Sequence, residues 1–245
     1  MKRKIKKLFD AILKPFDLRL RHISYESDLQ LDKDFSNVLN KVRPYTMTSP
    51  ESMFALYQSV QHIVKNNIEG DIVECGVWRG GSSMVNAITL LKHNDYNRIL
   101  HLYDTYEGMS TPTENDISFK GEKAENTWTN IHACEASIED VKQNLSSTGY
   151  PFEKINFIKG KVEDTIPNNL PDKIAILRLD TDWYESTYHE LVHLYPKLVK
   201  GGILIVDDYG FWAGAKKAVD QYFSENNIPI FLNRVDYTVR IAIKV

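Results

Sequence analysis

Asp180, Asp182, Asp207 and Asp208 are the residues whose type and spacing point most clearly to chemistry. Asp180 closes the run Ile174-Ala175-Ile176-Leu177-Arg178-Leu179, and Asp207-Asp208 closes the run Ile203-Leu204-Ile205-Val206. As the ends of neighbouring strands, Asp180, Asp207 and Asp208 converge without Lys or Arg between them, which asks for a hard divalent cation. Oxygen-only ligands favour magnesium, calcium or manganese over zinc. Residues two apart in an extended chain share a face. Asp182 can therefore stand beside the cation without binding it and act as a base. The cation would lower the pKa of a substrate hydroxyl, an effect that brings water bound to zinc down to about 7 and is weaker with magnesium. Local readings compete: Asp182 with Glu185 has the D-x-x-E spacing of a helix-capping box, and Asp208 can open a turn.

Open α/β sheets bind ligands outside the carboxyl ends of their strands. The first strand-like run, Ile72 to Val77, carries Glu74 and leads into Gly76-x-x-x-Gly80-Gly81-Ser82. The second ends in Asp104, and the third in Gly160 with Glu163 and Asp164 shortly after. Gly76 permits a tight turn, and Gly80-Gly81 let a ligand approach the next helix. The spacing is not G-x-G-x-x-G, which disfavours a dinucleotide pyrophosphate. Glu74 repels phosphate and attracts an amine or a sulfonium, and S-adenosylmethionine carries both cations and no phosphate. Asp104 is placed to accept hydrogen bonds from ribose hydroxyls. Methyl transfer from a sulfonium leaves a neutral thioether, so the leaving group needs no acid.

Strands must alternate with helices to present these residues on one edge. Strands are expected over 72–77, 98–104, 155–160, 173–180 and 202–207. Helices are expected from Ser49-Pro50 onward, over 82–91 and 137–145, from about Trp183 to Val199, and from Gly214 to Glu225. Ser49 suits an N-cap, Pro50 the first helical position, and Ser137 with Asp140 a capping box. Runs near Ile230-Phe231-Leu232 and Val239 to Ile243 read as a closing hairpin. This alternation predicts an α/β, Rossmann-like, mostly parallel seven-stranded sheet with a C-terminal antiparallel hairpin. No internal repeat or low-complexity tract interrupts it.

The chain has 245 residues, a net charge of −3 and 42% hydrophobic residues, values of an ordinary globular protein that give no reason to expect nucleic acid. Residues 1–21 concentrate Lys2, Arg3, Lys4, Lys6, Lys7, Lys14, Arg19 and Arg21 against Asp10 and Asp17. Ile5, Leu8, Phe9, Ile12 and Leu13 add an apolar stripe at helical spacing. This basic arm suits peripheral contact with an anionic membrane, packing on a partner subunit or over the active site, or plain solvation. No apolar stretch approaches a membrane span. Cys75 and Cys134 have neither zinc-ligand nor disulfide-framework spacing, so a cytoplasmic location is expected. The organisation expected is a basic helix and arm over 1–45 and a catalytic domain over 46–245. Residues 105–135 are read as a lid or acceptor loop in which Trp128 and His132 are candidate acceptor contacts. His189 and His193 fit a packed helix, and His101 a strand core.

The sequence resembles the macrocin O-methyltransferase family, the sugar O-methyltransferases of macrolide and aminocoumarin pathways. The markers are Thr46-Met47-Thr48-Ser49, Val73-Glu74-Cys75-Gly76-Val77-Trp78-Arg79-Gly80-Gly81, Tyr103-Asp104-Thr105-Tyr106-Glu107-Gly108-Met109, Leu179-Asp180-Thr181-Asp182-Trp183-Tyr184-Glu185-Ser186-Thr187 and Val206-Asp207-Asp208-Tyr209. The resemblance extends from about Tyr45 to the C-terminus. It implies magnesium at Asp180, Asp207 and Asp208, Asp182 as general base, and a deoxysugar hydroxyl as acceptor. It also implies that Glu74, Gly76, Ser82 and Asp104 line the S-adenosylmethionine site, with Met47 near its methionine end. Gly80, Glu163 and Asp180 complete the expected cofactor site. A homo-oligomer is expected. The competing readings are a catechol-type small-molecule O-methyltransferase and a nucleotide-sugar or NAD-binding Rossmann protein.

Overall fold

The computed structural model describes residue 29, residues 31–126 and residues 134–245. A seven-stranded sheet organises them, in the order β3-β2-β1-β4-β5-β7-β6. The strands are β1 (Asp71–Cys75), β2 (Leu100–Asp104), β3 (Ile155–Lys159), β4 (Ile174–Leu179), β5 (Leu198–Val206), β6 (Asn233–Arg234) and β7 (Arg240–Ile243). The first five are parallel, and β7 runs antiparallel between β5 and β6. The longer helices are α1 (Lys33–Val42), α2 (Pro50–Lys65), α3 (Gly81–Lys92), α4 (Ile138–Ser146), α6 (Tyr184–Leu194) and α7 (Ala213–Glu225); α5 (Val162–Thr165) is a single turn.

Strand side chains alternate between two cores. Ile72, Leu100, Ile176, Ile203 and Ile205 pack with α1 to α4. Val73, Tyr103, Leu177, Leu204 and Val206 pack with α6 and α7 on the other face. Strand order reverses between β1 and β4, the switch point where open α/β sheets bind ligands. Every residue of β4 is buried, which explains its near-continuous apolar run.

Ser49 caps α2 through the Ser52 amide, with Pro50 in the first turn, as expected. Ser137 caps α4 through the Asp140 amide, but the Asp140 carboxylate turns to Arg79 at 2.8 and 2.9 Å and closes no capping box. The D-x-x-E box does not form either. Trp183 stands at the N-cap of α6 without a side-chain bond, and the Tyr184 amide donates to Asp116 Oδ1 at 2.8 Å. Helix α6 stops at Leu194 instead of reaching Val199, because Pro196 tightens the next turn into a 3-10 helix, Tyr195–Lys197. The closing hairpin pairs Asn233–Arg234 with β7, while Phe231, read as strand, is 82% exposed.

Candidate active site

Two cavities meet at the carboxyl edge of the sheet. The first lies under the tips of β1 to β4 and is lined by Gly76, Asp104, Gly160, Glu163 and Ser186 among others. The second lies beside it, lined by Glu74, Ser82, Asp207, Asp208, Phe211, Trp212, Asp236 and Tyr237. Met47, Trp78, Cys134, Asp180 and Asp182 line both.

Gly76 has φ +81°, and a Cβ there would stand 1.9 Å from the Asp180 carbonyl oxygen. Only glycine allows β1 and β4 to come this close at the switch point. Gly80 starts α3 and packs on Val141 of α4, away from both linings. Its neighbour Gly81 faces the second cavity. Asp104 accepts from the amides of Val77 (2.6 Å), Trp78 (3.0 Å) and Tyr106 (2.7 Å), so it ties the glycine turn to the tip of β2 while lining the first cavity. Glu163 accepts from Ser186 Oγ at 2.7 Å at the far end of that cavity.

The aspartates converge as the sequence suggests. One carboxylate oxygen from each of Asp180, Asp207 and Asp208 lies within 4.8 Å of the others. They are not free of basic residues, however. Arg178, 2% exposed on β4, donates through Nη1 to Glu74 Oε1 (3.0 Å) and Asp180 Oδ2 (2.6 Å), and through Nη2 to Asp207 Oδ2 and Thr48 Oγ1 (3.3 Å). Glu74 also accepts from Ser83 Oγ and is 1% exposed. It is thus a buried anchor of this cluster on the wall of the second cavity. Asp182 does not continue an extended strand. Its φ is +66°, and its carboxylate accepts a hydrogen bond from Trp212 Nε1 at 2.8 Å.

Burial raises the Asp180 and Asp207 carboxyls to about 7 and Asp182 to about 6, with Arg178 opposing the rise at the first two. Burial and the neighbouring Asp182 raise Asp208 well above the ordinary range, and its Oδ2 is buried without a hydrogen-bond partner. A hard divalent cation fits this donor set. Asp180 and Asp207 each spend only Oδ2 on Arg178, Asp208 has an unsatisfied oxygen, and the ligands are all carboxylates.

Several residues that the structure places at or beside the site had not been singled out in the sequence. Arg178 was counted only as part of the fourth strand, and its charge in an otherwise apolar run was its only signal. Trp212, Asp116 and Cys134 gave none. His189 and His193 pack ring against ring at 4.3 Å on α6, and His101 meets Asp71 at 3.1 Å, in line with their structural readings. Within the segment 105–135, Ser118 bridges to Trp212, and Trp183 Nε1 donates to the Ser110 carbonyl at 2.9 Å. Trp128, His132 and the basic arm lie outside the described residues.

A doubly wound parallel sheet closed by an antiparallel β7, with a glycine turn after β1 and an acid ending β2, defines a Rossmann-like methyltransferase. The family model for macrocin-O-methyltransferase (TylF) matches residues 26–242, and the chain belongs to that family. It is 33% identical over 192 residues to demethyldecarbamoylnovobiocin O-methyltransferase of Streptomyces niveus, covering 78% of this chain and 72% of that one. It is 31% identical to 8-demethyl-8-(2,3-dimethoxy-alpha-L-rhamnosyl)-tetracenomycin-C 4'-O-methyltransferase of Streptomyces olivaceus, covering 79% and 73%. The solved structure of the O-methyltransferase NovP superposes with a TM-score of 0.76 at 31% identity, covering 82% of each chain. The protein is an S-adenosylmethionine-dependent O-methyltransferase, which sets aside the NAD-binding reading.

Proposed function

We propose that the protein transfers the methyl group of S-adenosylmethionine to a sugar hydroxyl, at a hard divalent cation, magnesium by preference, held by Asp180, Asp207 and Asp208. The observation that carries this reading is the convergence of those three carboxylates beside Asp182: all four line the second cavity, and Asp180 and Asp182 line the first as well. A cation there would lower the pKa of an acceptor hydroxyl.

The chain's own groups supply the rest. The first cavity, with Gly76, Asp104, Glu163 and Asp180 in its lining, takes the methyl donor, and Met47 covers the junction. The second cavity takes the acceptor against Phe211, Trp212 and Tyr237. Aromatic faces suit the C–H faces of a sugar ring, and the Streptomyces olivaceus relative is named for a rhamnosyl tetracenomycin. Asp182, oriented by Trp212, accepts the hydroxyl proton. Five carboxyl groups gather at the junction, three of them on Arg178, and the junction turns negative as they release their protons, which favours a sulfonium and a metal cation together.

Calorimetric titration with S-adenosylhomocysteine and with NAD, each with and without magnesium, tests the assignment. Binding of S-adenosylhomocysteine and not NAD is expected; no binding of S-adenosylhomocysteine would overturn it.

Among the described residues no helix is long and apolar enough to cross a membrane. For the basic arm we propose contact with an anionic membrane surface or with a partner subunit of a homo-oligomer, in a cytoplasmic enzyme. Liposome flotation of the full chain against residues 22–245 separates the two, since equal behaviour removes the membrane.

A further inference from the structure

We propose that Arg178 is the positioning residue of the cation site: it sets the spacing and orientation of Asp180 and Asp207 before any cation arrives. This rests on the metal reading above and extends it to a residue that binds neither metal nor substrate.

The placement follows from strand register. Arg178 pairs with Glu74 of β1 on one side and with Ile205 of β5 on the other. Residues two apart on a strand share a face. Arg178 therefore falls on the same face as Glu74, and as the positions from which Asp180 and Asp207 leave their strands. One planar group reaches three neighbouring strand ends. Nη1 serves Glu74 and Asp180, while Nη2 serves Asp207 and the hydroxyl of Thr48, in the loop that carries Met47.

The division of oxygens gives the contact its purpose. Asp180 and Asp207 both present Oδ2 to the guanidinium, and each keeps its other oxygen. Asp208 takes no part in the fork. Two carboxylates this close, without a cation between them, either protonate or splay apart. A guanidinium holds both through fixed, directional N–H groups, whereas an ammonium is a single mobile point charge. Neutralising buried Glu74 alone would need one contact, and the second arm of the fork would have no reason to reach β5.

The test uses the full chain with Mn2+ as the probe ion, followed calorimetrically, with S-adenosylhomocysteine titrated separately in chelator. Arg178→Lys keeps the charge and loses the fork. Its Mn2+ dissociation constant is expected to rise about tenfold or more, the range found when residues that orient metal ligands are changed. Its S-adenosylhomocysteine affinity is expected to stay within about threefold of wild type, less than the contribution of one typical hydrogen bond. Thr48→Val removes one hydroxyl from the fork and is the milder variant. A rise of about threefold in the Mn2+ constant is expected there, and this reading stands even where Arg178→Lys fails to fold. Mn2+ binding unchanged in Thr48→Val, or in a folded Arg178→Lys, overturns the positioning role and leaves the metal site intact. An equal loss of both ligands in Arg178→Lys marks a general structural role and also overturns it. A wild-type protein that binds no Mn2+ removes the metal reading, and this proposal with it.

Discussion

Trp212 Nε1 donates a hydrogen bond to Asp182 Oδ1 at 2.8 Å. Trp212 leaves the turn that follows Asp207-Asp208, so the end of β5 reaches across to orient the residue proposed as base on the loop after β4. Its ring meets Trp183 edge to face at 5.1 Å between centroids, which fixes the indole against α6. Trp212→Phe keeps an aromatic ring and removes the N–H. A hydrogen bond to a charged group contributes about 1.5–3 kcal/mol. A fall in kcat of about tenfold or more with little change in KM is therefore expected from steady-state kinetics. An unchanged kcat would mean that Asp182 is oriented by other contacts.

Asp182→Asn separates base from ligand. The substitution keeps size and the acceptor oxygen for Trp212 but cannot take a proton. Loss of general-base catalysis amounts to about 10²- to 10⁴-fold. The variant is expected to bind Mn2+ and S-adenosylhomocysteine as wild type does and to lose turnover by that factor. Loss of metal affinity instead would make Asp182 a ligand and break the division of labour among the four aspartates.

Stability without metal should fall as pH rises. The folded carboxyls of Asp180 and Asp207 sit at about 7 and that of Asp182 at about 6. An unfolded Asp titrates near 3.9. Between about pH 4 and pH 7 the folded protein therefore holds protons that the unfolded chain has released, and stability decreases with pH across that window. Thermal scans in chelator are expected to give a higher Tm at pH 5.5 than at pH 7.5. Added magnesium should raise Tm more at pH 7.5, where fewer protons must leave. A flat profile in chelator would show that these carboxyls ionise normally.

Asp236 has the opposite sign. Burial pushes its carboxyl up, but hydrogen bonds from Ser49 and Ser52, and from the amides of Val239 and Thr238, outweigh this and hold it below the ordinary range. It ties the C-terminal loop, which carries Tyr237, to the first turn of α2. Asp236→Ala is expected to destabilise by about 2 kcal/mol, a fall in Tm of about 4–8 °C for a chain of this size. Stability from a depressed carboxyl is present above its unfolded pKa and lost as pH falls through the folded one. The difference between variant and wild type should therefore close below about pH 4. A gap that persists in acid would assign the effect to packing.

The legible parts of this protein are those encoded locally. The alternation of apolar runs with helical periods specified the sheet, because buried parallel strands and amphipathic helices leave different periodicities. Acids at strand ends marked the site, because topology alone carries those ends to one edge. The illegible parts depend on residues far apart in the chain. Arg178 gains its meaning only when β1 and β5 flank β4 and bring Glu74 and Asp207 alongside. Asp116 caps α6 across 68 positions, so no local pattern could replace the expected Asp182–Glu185 box. Asp182 breaks the extended geometry assumed for it by turning left-handed, yet still lines the second cavity with Asp208. The two strand residues of β6 lie just past the apolar run that suggested them, because the exposed edge of a sheet does not require apolar side chains.

Methyl-labelled S-adenosylmethionine offers the most direct test. The full chain would be incubated with a panel of deoxysugar glycosides and nucleotide-linked deoxysugars, in magnesium and in chelator. Label is expected in a stable ether on at least one sugar, only in magnesium, with transfer restored when magnesium is returned to chelated protein. Label transferred equally well in chelator, or to no sugar by a protein that binds S-adenosylhomocysteine, would contradict the account.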